Sequence, residues 1–304
     1  MTEAAISGLP IRLVSRLLAE MQTSILNAGI PAFDGDLDRF GIFALIVRQS
    51  GLGAGEGATP AAISINSLAT SLSRPFETMR RHVNAMIADG LCMRTSAGVI
   101  AAPGYLERPA IVRTLQVTHD SFVRLVEDLI AFDQPMPMQR PIAYDPGVSV
   151  RAGADMMLAV ADGNMVLHHQ WMNLALFSTV LCAAMRDVTY DPILARLYAT
   201  ATNVVPDFLC RPVRPSVVAR TLHLPYSTAQ RRIAQIVAGG TVTKARSGLL
   251  PAQAWMNAPD VVAVSTSSFH NIRRILGVAA AAGFPFDNPA SAYLVGRPPR
   301  AQFD

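Results

Sequence analysis

The chain has 304 residues, 51% of them hydrophobic and 16% charged, with 26 basic against 22 acidic side chains. That balance excludes a chain too polar to fold, and the length leaves room for two domains of ordinary size. A net charge of +4 permits a polyanionic partner without requiring one; with Lys244 the sole lysine, the arginine content reads in part as a coding bias.

The opening MTEAAISGLP has no basic stretch leading into a long apolar one, so secretion is not indicated. Residues 11–28 set Leu13, Leu17, Leu18, Met21 and Ile25 on one face and predict an amphipathic helix, followed by a second over 38–49. The run Gly51-Leu52-Gly53-Ala54-Gly55 is a loop without the Lys and Ser/Thr that a phosphate-binding loop needs.

Residues 67–72 predict a short helix, with a turn at Ser73-Arg74-Pro75. The helix after it, 76–89, carries Met79, Val83, Met86 and Ile87 as one stripe at helical spacing. Gly90 stands where a left-handed cap ends a helix. Two short strands, 91–94 and 99–101, then flank a turn at 96–98. Helix, tight turn, helix and small hairpin is the winged helix-turn-helix order. A further helix is predicted over 121–132, with Phe122, Leu125, Val126 and Leu129 as its stripe. Residues 134–155, with Pro135, Pro137, Pro141 and Pro146, read as an extended linker, which sets a domain boundary near residue 150.

Beyond it, helices are predicted near 168–186, 191–204 and 270–282, and the proline-rich stretch after Phe284 reads as a tail or arm. The very apolar segment 171–185 is short of the 20 or so residues a membrane span wants, so it reads as a buried helix. His168 and His169 are neighbours that a helix points to different sides, a poor metal pair. Cys92, Cys182 and Cys210 form no C-x-x-C pair, which fits a reducing cytoplasm.

Sliding the chain over itself by 150 residues aligns 67–91 with 217–241 without a gap. Ala69 meets Ala219, Leu72 meets Leu222, Pro75 meets Pro225, Thr78 meets Thr228, Arg81 meets Arg231 and Gly90 meets Gly240. The match continues through Gly98 and Gly248 to Pro109 and Pro259. The expected fold is therefore mainly α, an α+β arrangement of two tandem winged helix-turn-helix units framed by packing helices, one in 1–150 and one in 151–304.

Projection of each second helix turns Glu77, Thr78, Arg81 and Asn84 away from the stripe, with Arg80 at the flank. In the second copy the set is Ser227, Thr228, Arg231 and Ala234, flanked by Gln230. Hydroxyls, amides and guanidinium groups on such a face are the groups that read base edges and phosphates, although a merely solvated face is also polar. Arg74 at the turn, Arg232 on the second helix, and Arg94, Lys244 and Arg246 in the hairpins add positioning cations. No Asp or Glu occurs in 208–259, where Arg211, Arg214, Arg220, Arg231, Arg232, Lys244 and Arg246 lie. In 67–114 six arginines meet Glu77, Asp89 and Glu107.

The element order and the segment P-F-E-T-M-R-R-H (75–82) resemble bacterial winged helix-turn-helix transcription regulators, and a unit of about 150 residues with helices on both sides is similar to the multiple-antibiotic-resistance type. Those regulators pair two identical units, whereas this chain carries two diverged ones. The resemblance implies sequence-specific binding of double-stranded DNA through residues 76–89 and 226–239. It leaves room for a small-molecule effector and for homo-oligomers, and implies no membrane association and no cofactor. A winged-helix adaptor of the chromosome-condensation type and a plasmid replication initiator are the alternatives. No acid, base, nucleophile or metal constellation suggests an enzyme.

Overall fold

The computed structural model describes residues 8–51 and 60–303, except the side chains of 159–162. The glycine run at 51–55 falls, beyond Gly51, outside the described residues. The protein is mainly helical, with two small antiparallel sheets of two strands each.

Two long helices open the chain, α1 (Ile11–Gly29) and α2 (Leu37–Gln49), the second capped by Asp36, whose carboxylate accepts from the Arg39 N–H at 3.0 Å. Then come α3 (Ile65–Ser71), α4 (Phe76–Ala88), β1 (Cys92–Thr95), β2 (Gly98–Ala101) and α5 (Pro109–Ala131). The second half begins with α6 (Pro146–His168), α7 (Trp171–Tyr190) and the short α8 (Pro192–Leu197). After these the order repeats as α9 (Pro215–Thr221), α10 (Tyr226–Ala238), β3 (Val242–Ala245), β4 (Gly248–Pro251), α11 (Gln253–Met256) and α12 (Pro259–Ala281).

The repeat read from the sequence is present in the backbone. From α3 and α9 onward each element starts 150 residues after its counterpart, down to Pro109 and Pro259 at the heads of α5 and α12. Both tight turns put one residue in the left-handed region, Ser73 at φ 48 and His223 at φ 50, and both second helices end on a left-handed glycine, Gly90 and Gly240. In each copy a third extended residue joins the hairpin through a single bridge, Ile63 to Val99 and Val213 to Leu249. Upstream the correspondence is one of packing. α2 backs onto β2 and α4 as α7 backs onto β4 and α10.

Four helices close the molecule at its centre. α1 packs on α5, α5 on α6, α6 on α12, and α12 returns to α1. Buried side chains from both halves form one continuous core rather than two. Residues 146–155, expected to be linker, form the first turns of α6. Pro146 sits in the first turn, where its missing N–H costs no hydrogen bond, and the Asp145 carboxylate accepts from the Gly147 N–H at 2.9 Å. The boundary near 150 therefore falls inside a helix. The helix expected over 121–132 begins at Pro109, that over 270–282 begins at Pro259, and that over 191–204 stops at Leu197.

The apolar segment 171–185 is the buried body of α7, packed against α1. No described helix is long and apolar enough to cross a membrane. All three cysteines are free and buried.

The stretch after Phe284 is not a loose arm. It crosses to α5, where the buried Asp120 carboxylate accepts N–H bonds from Leu294, Val295 and Gly296 at 2.9–3.2 Å. The Arg124 guanidinium, from the same helix, pairs with Glu20 at 2.9 Å, both groups 4% exposed.

Candidate nucleic-acid interface

α4 buries Met79, Val83 and Met86, and α10 buries Ala229, Ile233 and Ile236, so each helix has one face fixed against its unit. The exposure pattern of 75–99 recurs residue for residue in 225–249. On the outer face Glu77, Arg80, Arg81 and Asn84 are exposed and Thr78 is half-buried. The second copy has Ser227, Gln230 and Arg231 exposed and Thr228 half-buried. Phe76 and Tyr226, the first residues of the two helices, are large exposed aromatics at equivalent positions.

Partners divide these side chains. Arg80 pairs with Glu77 at 2.8 Å one turn away, with both groups more than half exposed, so solvent weakens the pair. Arg94 reaches from β1 to the Asn84 side-chain oxygen at 2.9 Å and ties hairpin to helix. Arg81, Arg231, Lys244 and Arg246 are exposed and make no hydrogen bond or ion pair among the described residues. Arg81 and Arg231 stand at the same place on the two helices; Lys244 and Arg246 stand on the second hairpin.

Two of the expected residues are differently employed. Arg74 is no surface cation. Its Nη2 meets both Asp38 oxygens at 2.7 and 2.8 Å, and the two side chains are 12% and 15% exposed. The pair clamps the α3–α4 turn to α2. Arg232 is half-buried, and its Nη1 donates to the Gln235 side-chain oxygen at 3.0 Å, while its Nε has no acceptor. Burial first, then the Arg74 and Arg231 cations, pull its pKa below the arginine value, with Asp38 acting against them. Arg232 thus faces the first half of the chain rather than the outside.

Of the acids that organise this region, Asp34, Asp36 and Asp38 went unremarked in the sequence. His82, at the position equivalent to Arg232, has its Nδ1 3.5 Å from Asp36. Asp34 and Asp89 both pair with Arg39. Asp36, Asp38 and His82 are close enough together to hold a cation, but Asp38 is taken up by Arg74 and Asp36 caps α2. The acid-free stretch 208–259 is also less isolated than its composition suggests, because Arg211 pairs with Asp187 at 2.5 Å.

His168 and His169 sit at the C-terminal end of α6, where His169 takes the left-handed cap. The His168 ring is buried against Phe177 and Trp255 with neither nitrogen hydrogen-bonded. Burial, and then the neighbouring His169, push its pKa down to about 4.

Comparison with known protein families, with curated proteins and with solved structures finds no match for this chain.

Proposed function

We propose that the chain is a cytoplasmic, sequence-specific regulator of transcription that binds double-stranded DNA through two tandem winged helix-turn-helix units. The supporting observation is the repeated outer face of α4 and α10, with an exposed arginine at the same position on each, Arg81 and Arg231, that has no partner among the described residues. A helix of this kind fits the major groove, where a guanidinium can take both acceptors of a guanine edge. Lys244 and Arg246 on the second hairpin suit contacts to phosphates, which hold register without reading sequence.

The second unit is expected to supply more of the affinity. Its helix carries Ser227 where the first carries Glu77, and no acid occurs in 208–259. Selection of duplexes from a random pool by the full chain, followed by titration at one salt concentration, tests the reading. Arg231→Ala and Arg81→Ala should each cost about 1–3 kcal/mol of affinity for the selected duplex. Failure to enrich any duplex, or unchanged affinity in both variants, overturns it.

The exposed Phe76 and Tyr226 favour a second reading, an adaptor that docks on another protein. That reading expects a stoichiometric protein partner and no retention on heparin. A replication initiator would differ from a regulator only in where its sites lie.

A further inference from the structure

A cleft open to solvent lies between α1, α7 and α12. Leu174, Phe177, Leu181, Trp255 and Val261 make its walls largely apolar, and among the described residues the lining includes no Asp or Glu. Two arginines of α1 nevertheless line it, Arg12 and Arg16, one turn apart. Neither has an ion pair among the described residues.

Arg12 is held by neutral oxygens, the Ala201 carbonyl at 2.7 and 3.1 Å, the Met256 carbonyl at 3.3 Å and the Asn257 side chain at 3.0 Å. Arg16 is 3% exposed and donates only to the carbonyls of Tyr198 at 2.7 Å and Ala195 at 3.3 Å. Its Nε–H has no acceptor among the described residues. A guanidinium has five N–H donors, so the larger part of this buried cation is unengaged. Burial, and then the Arg12 charge, lower its pKa to about 10, the direction expected of a cation without a counterion.

The first half lacks this feature. Its counterpart cavity is lined by Phe33, Phe40, Phe43, Leu115 and Met157, and the one arginine among its described lining residues, Arg48, is paired with Asp155. The unneutralised charge therefore does not follow from the repeated architecture. It belongs to the second cavity alone.

We propose that this cavity binds one small organic carboxylate per chain, with the acid group on Arg16 and the apolar body against Phe177 and Trp255. Most of the unused donors lie on the Arg16 guanidinium, since Arg12 makes four bonds and Arg16 two, and two adjacent N–H groups match the two oxygens of a carboxylate. Most of the remaining wall is hydrocarbon, which would leave the polar groups of a polyphosphate or a sugar without partners. Gln22 and Ser178, two neutral polar residues of the lining, already bond each other at 3.0 Å. This inference goes beyond the DNA-binding reading and does not rest on it.

Calorimetric titration of the full chain with octanoate and benzoate, each against its neutral amide, tests the proposal. One acid should bind per chain, at least about ten-fold more tightly than its amide. Arg16→Gln should erase that preference. Ser265→Trp, which fills the cavity from a half-buried wall position, should abolish acid binding while helicity by circular dichroism stays the same. Acid and amide binding equally, neither acid binding, or acid binding that survives Ser265→Trp each overturns the proposal. The comparison of acid with amide, and the Ser265 variant, decide the matter even if the Arg16 variant does not fold. None of these readouts involves DNA, so a negative result here leaves the duplex reading standing.

Discussion

Gly98 and Gly248 meet the same obstacle at equivalent points of the two hairpins. A Cβ on either would stand 2.5 Å from a backbone carbonyl oxygen, that of Ile63 or of Val213. Backbone joined to the sheet by a bridge cannot step aside cheaply, so alanine at either position should cost about 1–3 kcal/mol, read as a lower unfolding midpoint in urea. His168 makes a different single-residue prediction. Folded, its ring stays neutral down to about pH 4; unfolded, it takes up a proton near 6.5. The stability contributed by the neutral ring is whole above pH 6.5 and is lost as pH falls toward 4, a loss of about 3 kcal/mol. His168→Phe keeps a ring beside Phe177 and Trp255 and should remove most of the difference between urea unfolding at pH 7 and at pH 4.5. His119 adds a residual slope of the same sign, because burial lowers its pKa against the opposing Asp120 hydrogen bond.

Between elements, the Arg74–Asp38 pair is the contact that most changes how the candidate interface is read. Arg74→Ala strands a largely buried carboxylate and should cost about 1–3 kcal/mol of stability. Its effect on duplex affinity should be small beside that of Arg231→Ala, and the reverse order would return Arg74 to the interface. The sequence could not reveal this role, because Asp38 lies on another helix and no local pattern marks the pairing. The stripes of α4 and α10, their glycine caps and both hairpins were legible, since each rests on short-range spacing. Much of α5 was not. Its buried face includes Thr114, Thr118, His119, Asp120, Arg124 and Asp128, polar groups that hide an apolar period. They are buried because the segment after Phe284 folds over the helix and supplies N–H donors to Asp120, a partner more than 170 residues away. The start of α6 was obscured by the opposite error: prolines taken for a linker include the one that opens the helix. At the candidate site, exposure followed from helical projection, but the inward turn of Arg232 depended on contact between the halves.

At the scale of the whole chain, the closed ring of α1, α5, α6 and α12 makes each half a wall of the other's interior. Residues 1–145 and 146–304 expressed separately should therefore be unfolded or aggregated, with a helical, soluble species recovered on co-expression. Two independently folded halves with sharp unfolding transitions of their own would contradict a shared core.

Carrying both copies on one polypeptide has a further result. Where identical subunits associate, every replacement arrives twice and dilution can part the pair; here a replacement enters one copy, and no dilution separates them. Glycine persists at 98 and 248, where geometry leaves no choice, while Glu77 and Ser227 differ on a surface that tolerates either. The molecule thus has a direction, with one end distinguishable from the other at any concentration.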